Sequence, residues 1–169
     1  FKQISNILRF GNLYELSREY NVNSSLDKVK EIDIITNNLF IDYINSMENI
    51  VGYISEENEK IVFKDNIENK DDMNTDKYIL SFDPLDGSKN ILSNITSGSL
   101  YCLMKYDIIN DKILNIVEAG YCLYGAKTIL VTAQFFNVNL FELDKNNDFT
   151  HIKKIYKIPK GKIYHCNES

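Results

Sequence analysis

A layered α/β or α+β domain is what this sequence predicts, and three observations carry the prediction. Apolar residues recur at helical spacing through the first part of the chain, as far as Met47. From residue 50 onward they occur in short runs separated by polar turns, the pattern of successive strands. The composition, 44% hydrophobic, 25% charged and 12% aromatic in 169 residues, is that of a soluble globular chain with one sizeable core. It excludes a disordered tail, a collagen and a disulfide-stapled mini-domain. Helices first and strands afterwards pack as layers around a shared core.

Ile4, Ile7, Leu8, Leu13 and Leu16 predict an opening helical region, bent or interrupted at Gly11. Residues 21–25, rich in turn and cap types, read as a loop. Val29, Ile32, Ile35, Leu39, Tyr43, Ile44 and Met47 then recur at steps of three and four, an amphipathic helix for which Ser25 or Asp27 offers an N-cap. Strands are expected at residues 50–54, 60–64, 77–83, 100–107, 112–122, 128–133, 139–144 and 149–153. The charged stretch 65–76 reads as a surface loop, and Asn110-Asp111 and Asn146-Asn147 as hairpin turns. Seven Gly and two Pro leave no flexible linker, so residues 1–169 are read as one unit.

A net charge of −5 argues against a nucleic-acid partner, because phosphate backbones select clustered Lys and Arg. Lys153, Lys154, Lys157, Lys160 and Lys162 do cluster; a solvated face beside a strand accounts for them more readily than a phosphate patch. Cys102, Cys122 and Cys166 are odd in number and lack C-x-x-C spacing, as expected of reduced thiols in a cytoplasmic compartment. His151 and His165 have no motif around them and are read as structural. Residues 128–141 are too short and too polar to span a bilayer, and no membrane partner is expected.

The chemistry is concentrated in Ser81-Phe82-Asp83-Pro84-Leu85-Asp86-Gly87-Ser88-Lys89-Asn90. A strand-type run ends in two aspartates separated by Pro-Leu. Pro84 fixes its own φ and biases Asp83 towards extended backbone, so the carboxylates are held stiffly. Two carboxylates this close repel unless a cation or a proton sits between them. Hard divalent ions choose such oxygens and keep coordination positions for water and phosphate. Gly87 permits a tight turn whose N–H groups, with Ser88, suit a phosphate. On spacing alone the segment reads equally as an Asx-turn closing a strand. Glu56-Glu57, after Ser55, is a second acidic pair behind a short strand, and Asp33 is a carboxylate in an otherwise apolar helical stretch. Alone, a solvated turn and a helix margin explain these.

Together these segments resemble the fructose-1,6-bisphosphatases, within the magnesium-dependent, lithium-sensitive sugar and inositol phosphatase superfamily. Asp83-Pro84-Leu85-Asp86-Gly87-Ser88 matches the superfamily signature, and Asn90-Ile91 continues it. Ser55-Glu56-Glu57 resembles the family's Ser-Glu-Glu, and the segment from Asp27 to Asp33 its Asp-Gln-Val-Lys-Lys-Leu-Asp. Ala119-Gly120-Tyr121-Cys122-Leu123-Tyr124-Gly125 and Gly161-Lys162-Ile163-Tyr164-His165-Cys166-Asn167-Glu168 also match. The resemblance implies a sugar phosphatase fold whose mixed sheet is flanked by helices. It implies Glu56, Asp83, Asp86 and the Leu85 carbonyl as ligands of two or three Mg²⁺ ions (or Mn²⁺ or Zn²⁺), with Asp33 and Glu57 polarising the attacking water and Asp27 assisting at a further metal site. Gly87 and Ser88 would hold the phosphate being cleaved, with Asp86 and Lys89 as further substrate-binding candidates beside them, and Asn167 would contact the sugar's other phosphate. Lys77, Tyr78 and Lys105 stand where the family binds AMP, with Lys105 in place of an Arg. The implied activity is cytoplasmic removal of the 1-phosphate of fructose 1,6-bisphosphate by a homo-oligomer, a tetramer in that family.

Three departures qualify the resemblance. Lys89 replaces a Ser, a cation that either competes with metal or pairs with substrate phosphate. Leu92 replaces an acid, and the chain ends before the family's last metal-binding Glu. Phe1 at the start and Ser169 at the end suggest a piece of something longer, inactive by itself. A sedoheptulose-1,7-bisphosphatase and a catalytically silent regulatory or assembly paralogue are the alternatives. An inositol monophosphatase fits less well, since its signature has Asp-Gly-Thr.

Overall fold

The computed structural model describes residues 1–22, 28–58, 60–64, 76–157 and 160–161. Helix α1 (Lys2–Phe10) buries Ile4 and ends at Gly11, whose extended backbone (φ −75°, ψ 162°) breaks the helix where the sequence predicts a bend. Helix α2 (Leu13–Leu16) restarts behind Asn12, whose side chain accepts from the Tyr14 and Glu15 N–H groups at 3.2 and 3.4 Å.

Strand β1 (Glu19–Val22) pairs antiparallel with β2 (Lys28–Lys30). Asn21 and Val22 are therefore in a strand, not in the expected loop, because pairing supplies backbone partners that local turn propensity does not register. Residues 23–27 lie outside the described residues. Helix α3 (Glu31–Asn45) starts later than the apolar periodicity suggests, since Val29 is committed to β2. Its N-cap is Lys30, not Ser25 or Asp27: Asp33, at the third helical position, reaches back to accept from the Lys30 N–H at 3.0 Å.

Eight strands form one mixed sheet in the order β10-β9-β8-β7-β6-β5-β3-β4. They are β3 (Ile50–Ser55), β4 (Val62–Phe63), β5 (Lys77–Asp86), β6 (Ser97–Asp107), β7 (Lys112–Tyr124), β8 (Thr128–Gln134), β9 (Asn137–Leu143) and β10 (Phe149–Ile155). From β5 to β10 they run as an antiparallel meander, whereas β3 and β5 are parallel, so both strands end at the same edge. Asp111 (φ 48°) and Asn147 (φ 63°) make the expected hairpin turns. The turn between β8 and β9 was not marked by its residues, for it places the aromatic Phe135 at φ 53°.

The core lies between one face of the sheet and helices α1 and α3. Phe40 of α3 stacks on Phe82 of β5 at 4.5 Å between centroids, and Tyr53 of β3 approaches Phe82 at 5.9 Å. Ile4, Ile32, Leu80, Leu85 and Ile91 complete the cluster. The opposite face carries Leu100 directly across from Tyr121, both exposed, beside a shallow, mostly apolar hollow of about 440 Å³ that Asp83 helps to line. Lys153 and Lys154 sit exposed on β10 at the sheet edge, where charge discourages edge-to-edge pairing. Cys102 and Cys122 are free thiols; Cys166, His165 and Lys162 lie outside the described residues. His151 is exposed, its ring edge-on to Phe141. Among the described residues, no helix is long and apolar enough to cross a membrane.

Because Phe40 joins the helical layer to the strand that carries Asp83, Phe40→Ala is expected to cost about 3–5 kcal/mol. Chemical denaturation of the protein and the variant measures this; a loss below about 1 kcal/mol would show that the contact is not central.

Candidate active site

The parallel alignment of β3 and β5 brings the two acidic motifs together. Glu56 follows the last residue of β3, and its N–H donates to the Phe82 carbonyl of β5 at 3.0 Å. Behind it, Ser55 is buried, donates to Asn37 Oδ1 at 2.7 Å and accepts from the Glu57 N–H at 3.2 Å. Asn37 lies four residues after Asp33, so one helix face supplies a carboxylate and also holds the Glu56-Glu57 turn.

The Asp83-Pro84-Leu85-Asp86 segment is the end of β5 and not yet a turn. Asp83 faces Leu100 of β6 and Asp86 faces Gly98, so three steps on β5 oppose two on β6. This is a bulge, and Pro84, which has no N–H for the ladder, sits in it. Asp83 Oδ1 accepts from the Leu85 N–H at 3.0 Å, so the Asx-type geometry and the clustering of acids coexist. From behind, Ser99 Oγ donates to the Pro84 carbonyl at 2.7 Å and shares a second 2.7 Å hydrogen bond with the Tyr124 hydroxyl. The turn itself is at Gly87, whose left-handed φ of 81° favours glycine. It leads into a 3-10 helix, Ser88–Ser93, that the sequence pattern does not announce.

The result is an acidic cluster of Asp33, Glu56, Glu57, Asp83 and Asp86. Asp33 is only 7% exposed, whereas Glu56 and Asp86 reach solvent. Burial first, then the charges of Glu56 and Asp33, push the Glu57 carboxyl up to about 7. Burial likewise raises Asp83 to about 6, with Glu56, Asp86 and Asp33 adding to it against the lowering effect of the Leu85 hydrogen bond. The charges acting most strongly on both groups are thus other carboxylates. Buried mutual repulsion of this kind is relieved by a hard cation. In the same turn as Glu56 and Glu57, Asn58 Oδ1 is a buried oxygen acceptor that finds no partner among the described residues. This donor set fits a divalent ion, although among the described residues no three His, Cys, Asp or Glu side chains are gathered closely enough to grip one as placed.

Of the other residues singled out in the sequence, Ser88 is half-buried at the start of the 3-10 helix, and Lys89 and Leu92 lie exposed on it. Tyr78 and Lys105 are directly opposed on β5 and β6, at the far end of β5 from Asp83. Lys105 pairs there with Asp76 at 2.6 Å, and Lys77 neighbours Tyr78 at the start of the strand. Asp27 and Asn167 lie outside the described residues. Sequence reading missed Asn37, Ser99 and Tyr124. Asn37 and Ser99 lie in no motif, and Tyr124, although inside the matched segment Ala119 to Gly125, had no role assigned; only the fold brings the three behind the acids.

Fold and site together define a layered α+β protein with an acidic cluster where two parallel strands end. Residues 1–154 match the family described as the N-terminal domain of fructose-1-6-bisphosphatase. Fructose-1,6-bisphosphatase isozyme 2 of Bos taurus is 35% identical over 180 residues, covering 99% of this chain and 51% of the relative. The class 1 fructose-1,6-bisphosphatase of Sulfurihydrogenibium is 35% identical over 152 residues, covering 85% of this chain and 45% of the relative. The crystal structure of Leishmania major fructose-1,6-bisphosphatase in holo form superposes with a TM-score of 0.75 at 28% identity, over 89% of this chain and 49% of that one. The chain belongs to the fructose-1,6-bisphosphatase family and spans about half the length of the curated relatives it matches.

Without metal, the raised carboxyls predict a pH dependence of stability. The folded state keeps protons on Glu57 and Asp83 that the unfolded chain releases at ordinary carboxylate pKa values, so stability falls as pH rises from about 4 to about 7 and levels off above. Melting in a chelator is therefore expected at lower temperature at pH 7.5 than at pH 5, with Glu57→Gln flattening the decline. A rise of the midpoint across this window would refute the arrangement of charges.

Proposed function

We propose that the full-length protein containing this chain hydrolyses the 1-phosphate ester of fructose 1,6-bisphosphate with the help of Mg²⁺. The observation that carries the reading is the convergence of Asp33, Glu56, Glu57 and Asp83, from one helix and two strands, into mutual electrostatic reach. Uncatalysed hydrolysis of a phosphate monoester is slow enough that enzymes must supply enhancements approaching 10²¹-fold. Divalent ions on Glu56, Asp83, Asp86 and the Leu85 carbonyl would supply charge neutralisation of the phosphate and a lowered pKa for the attacking water.

The remaining roles fall to the chain itself. Asp33, buried and held through one oxygen by the Lys30 N–H, is fixed in place to orient the attacking water. Glu57, half-buried and next to Glu56 in the same turn, is placed to take the water's proton. Gly87 and Ser88 offer backbone N–H groups and a hydroxyl beside the acids, where the phosphate would sit. No covalent nucleophile is required. The names of the relatives favour fructose over sedoheptulose bisphosphate as substrate.

The test is phosphate release from both sugar bisphosphates by the full-length protein with Mg²⁺ or Mn²⁺. Hydrolysis of fructose 1,6-bisphosphate is expected, and Asp86→Asn should reduce kcat by at least about a hundredfold while cooperative unfolding is kept. Turnover of neither sugar, or full activity of Asp86→Asn, would contradict the proposal.

A further inference from the structure

Lys30 touches both halves of the site at once. Its backbone N–H donates to Asp33 Oδ2 at 3.0 Å, and its Nζ donates to the Ser88 carbonyl at 2.9 Å, across 58 positions of sequence. The first bond fixes the carboxylate assigned to the water. The second reaches the turn assigned to the phosphate. A charge-assisted bond from a half-buried ammonium is among the stronger ties available to such a turn.

The bond also sets a direction. A trans peptide is planar, so a C=O and the following N–H point opposite ways. With the Ser88 carbonyl held towards Lys30, the Lys89 N–H is held facing away from it. The ammonium carries its own positive charge to the edge of the turn as well, close enough to Lys89 for the two side chains to repel and to Asp33 for attraction. The base of Lys30 is itself secured, since Lys30 pairs with Glu19 across β1 and β2 and the neighbouring Glu31 N–H donates to the Arg18 carbonyl at 3.0 Å.

We infer that Lys30 is a positioning residue that locks the phosphate-side turn at Ser88 to the N-terminus of α3, so that the phosphate and the water-orienting Asp33 keep a fixed separation. The inference rests on the hydrolase reading above, and it adds to that reading a residue acting through Ser88 and Asp33, without itself meeting the reacting atoms.

The experiment compares the full-length protein with Lys30→Met, which keeps the stem but loses the ammonium, and Lys30→Arg, which keeps charge and reach. Inorganic phosphate binding in Mg²⁺ is measured by calorimetry, and kcat and KM are measured separately with fructose 1,6-bisphosphate. Lys30→Met is expected to weaken phosphate binding about tenfold and to lower kcat about ten- to a hundredfold, the scale of misplacement by about an ångström. Lys30→Arg should restore both to within about threefold of the parent. If Lys30→Met does not fold, Lys30→Gln carries the same comparison. Phosphate binding that is unaltered in the folded neutral variant, or a loss that Lys30→Arg shares in full, overturns the inference. Absence of sugar-phosphate hydrolysis by the parent protein would instead refute the hydrolase reading, because phosphate binding is read without turnover.

Discussion

Repulsion between carboxylates is the constraint on which the rest of this structure depends. Asp33, Glu56, Glu57, Asp83 and Asp86 are held within range of one another in a partly buried site, and burial first, then the neighbouring carboxylates, raise the proton affinities of Glu57 and Asp83. Left to themselves, these groups would separate. The fold opposes this with hydrogen bonds on or behind the segments that carry the acids: Ser55 to Asn37, Ser99 to the Pro84 carbonyl, and the Lys30 N–H to Asp33. Each such bond contributes about 1 kcal/mol net, so their effect depends on the packed layer that fixes their partners. That layer is the Phe40–Phe82 stack and the aliphatic residues around it.

Topology explains why three distant segments can meet. In a wholly antiparallel meander, neighbouring strands end at opposite edges. Here β3 and β5 are parallel neighbours, so Glu56-Glu57 and Asp83 emerge at one edge. Helix α3 runs over the same face of the sheet and brings Asp33 in at its first turn. The bulge at Pro84 and the left-handed Gly87 then redirect the chain into the 3-10 helix instead of continuing the ladder.

Much of this architecture was legible in the sequence. Alternating and clustered apolar residues marked all eight strands of the large sheet, and the helical spacing from Ile32 to Ile44 marked α3. The start of α3 was misplaced because Ser25 and Asp27 are good caps by type, whereas the cap used is Lys30, served by Asp33 from inside the helix. The small β1–β2 sheet escaped notice because its pairing is tertiary. The acids themselves were legible as motifs. Their supports were not: Asn37, Ser99 and Tyr124 gain meaning only from which strand and which helix turn lie opposite them. The parallel pairing of β3 and β5 was also invisible, because a short apolar run does not declare the direction of its neighbour.

The most direct test of the account is the response of stability to Mg²⁺ at pH 7.5. Starting from chelator, the melting midpoint of the protein should climb steadily with Mg²⁺ concentration, as binding to the folded state alone requires. Asp83→Asn preserves the acceptor for the Leu85 N–H but removes one charge; it should melt higher than the parent in chelator and respond little to Mg²⁺. A parent midpoint indifferent to Mg²⁺, together with an Asp83→Asn variant that melts lower in chelator, would contradict the claim that this cluster is assembled against its own repulsion to receive a cation.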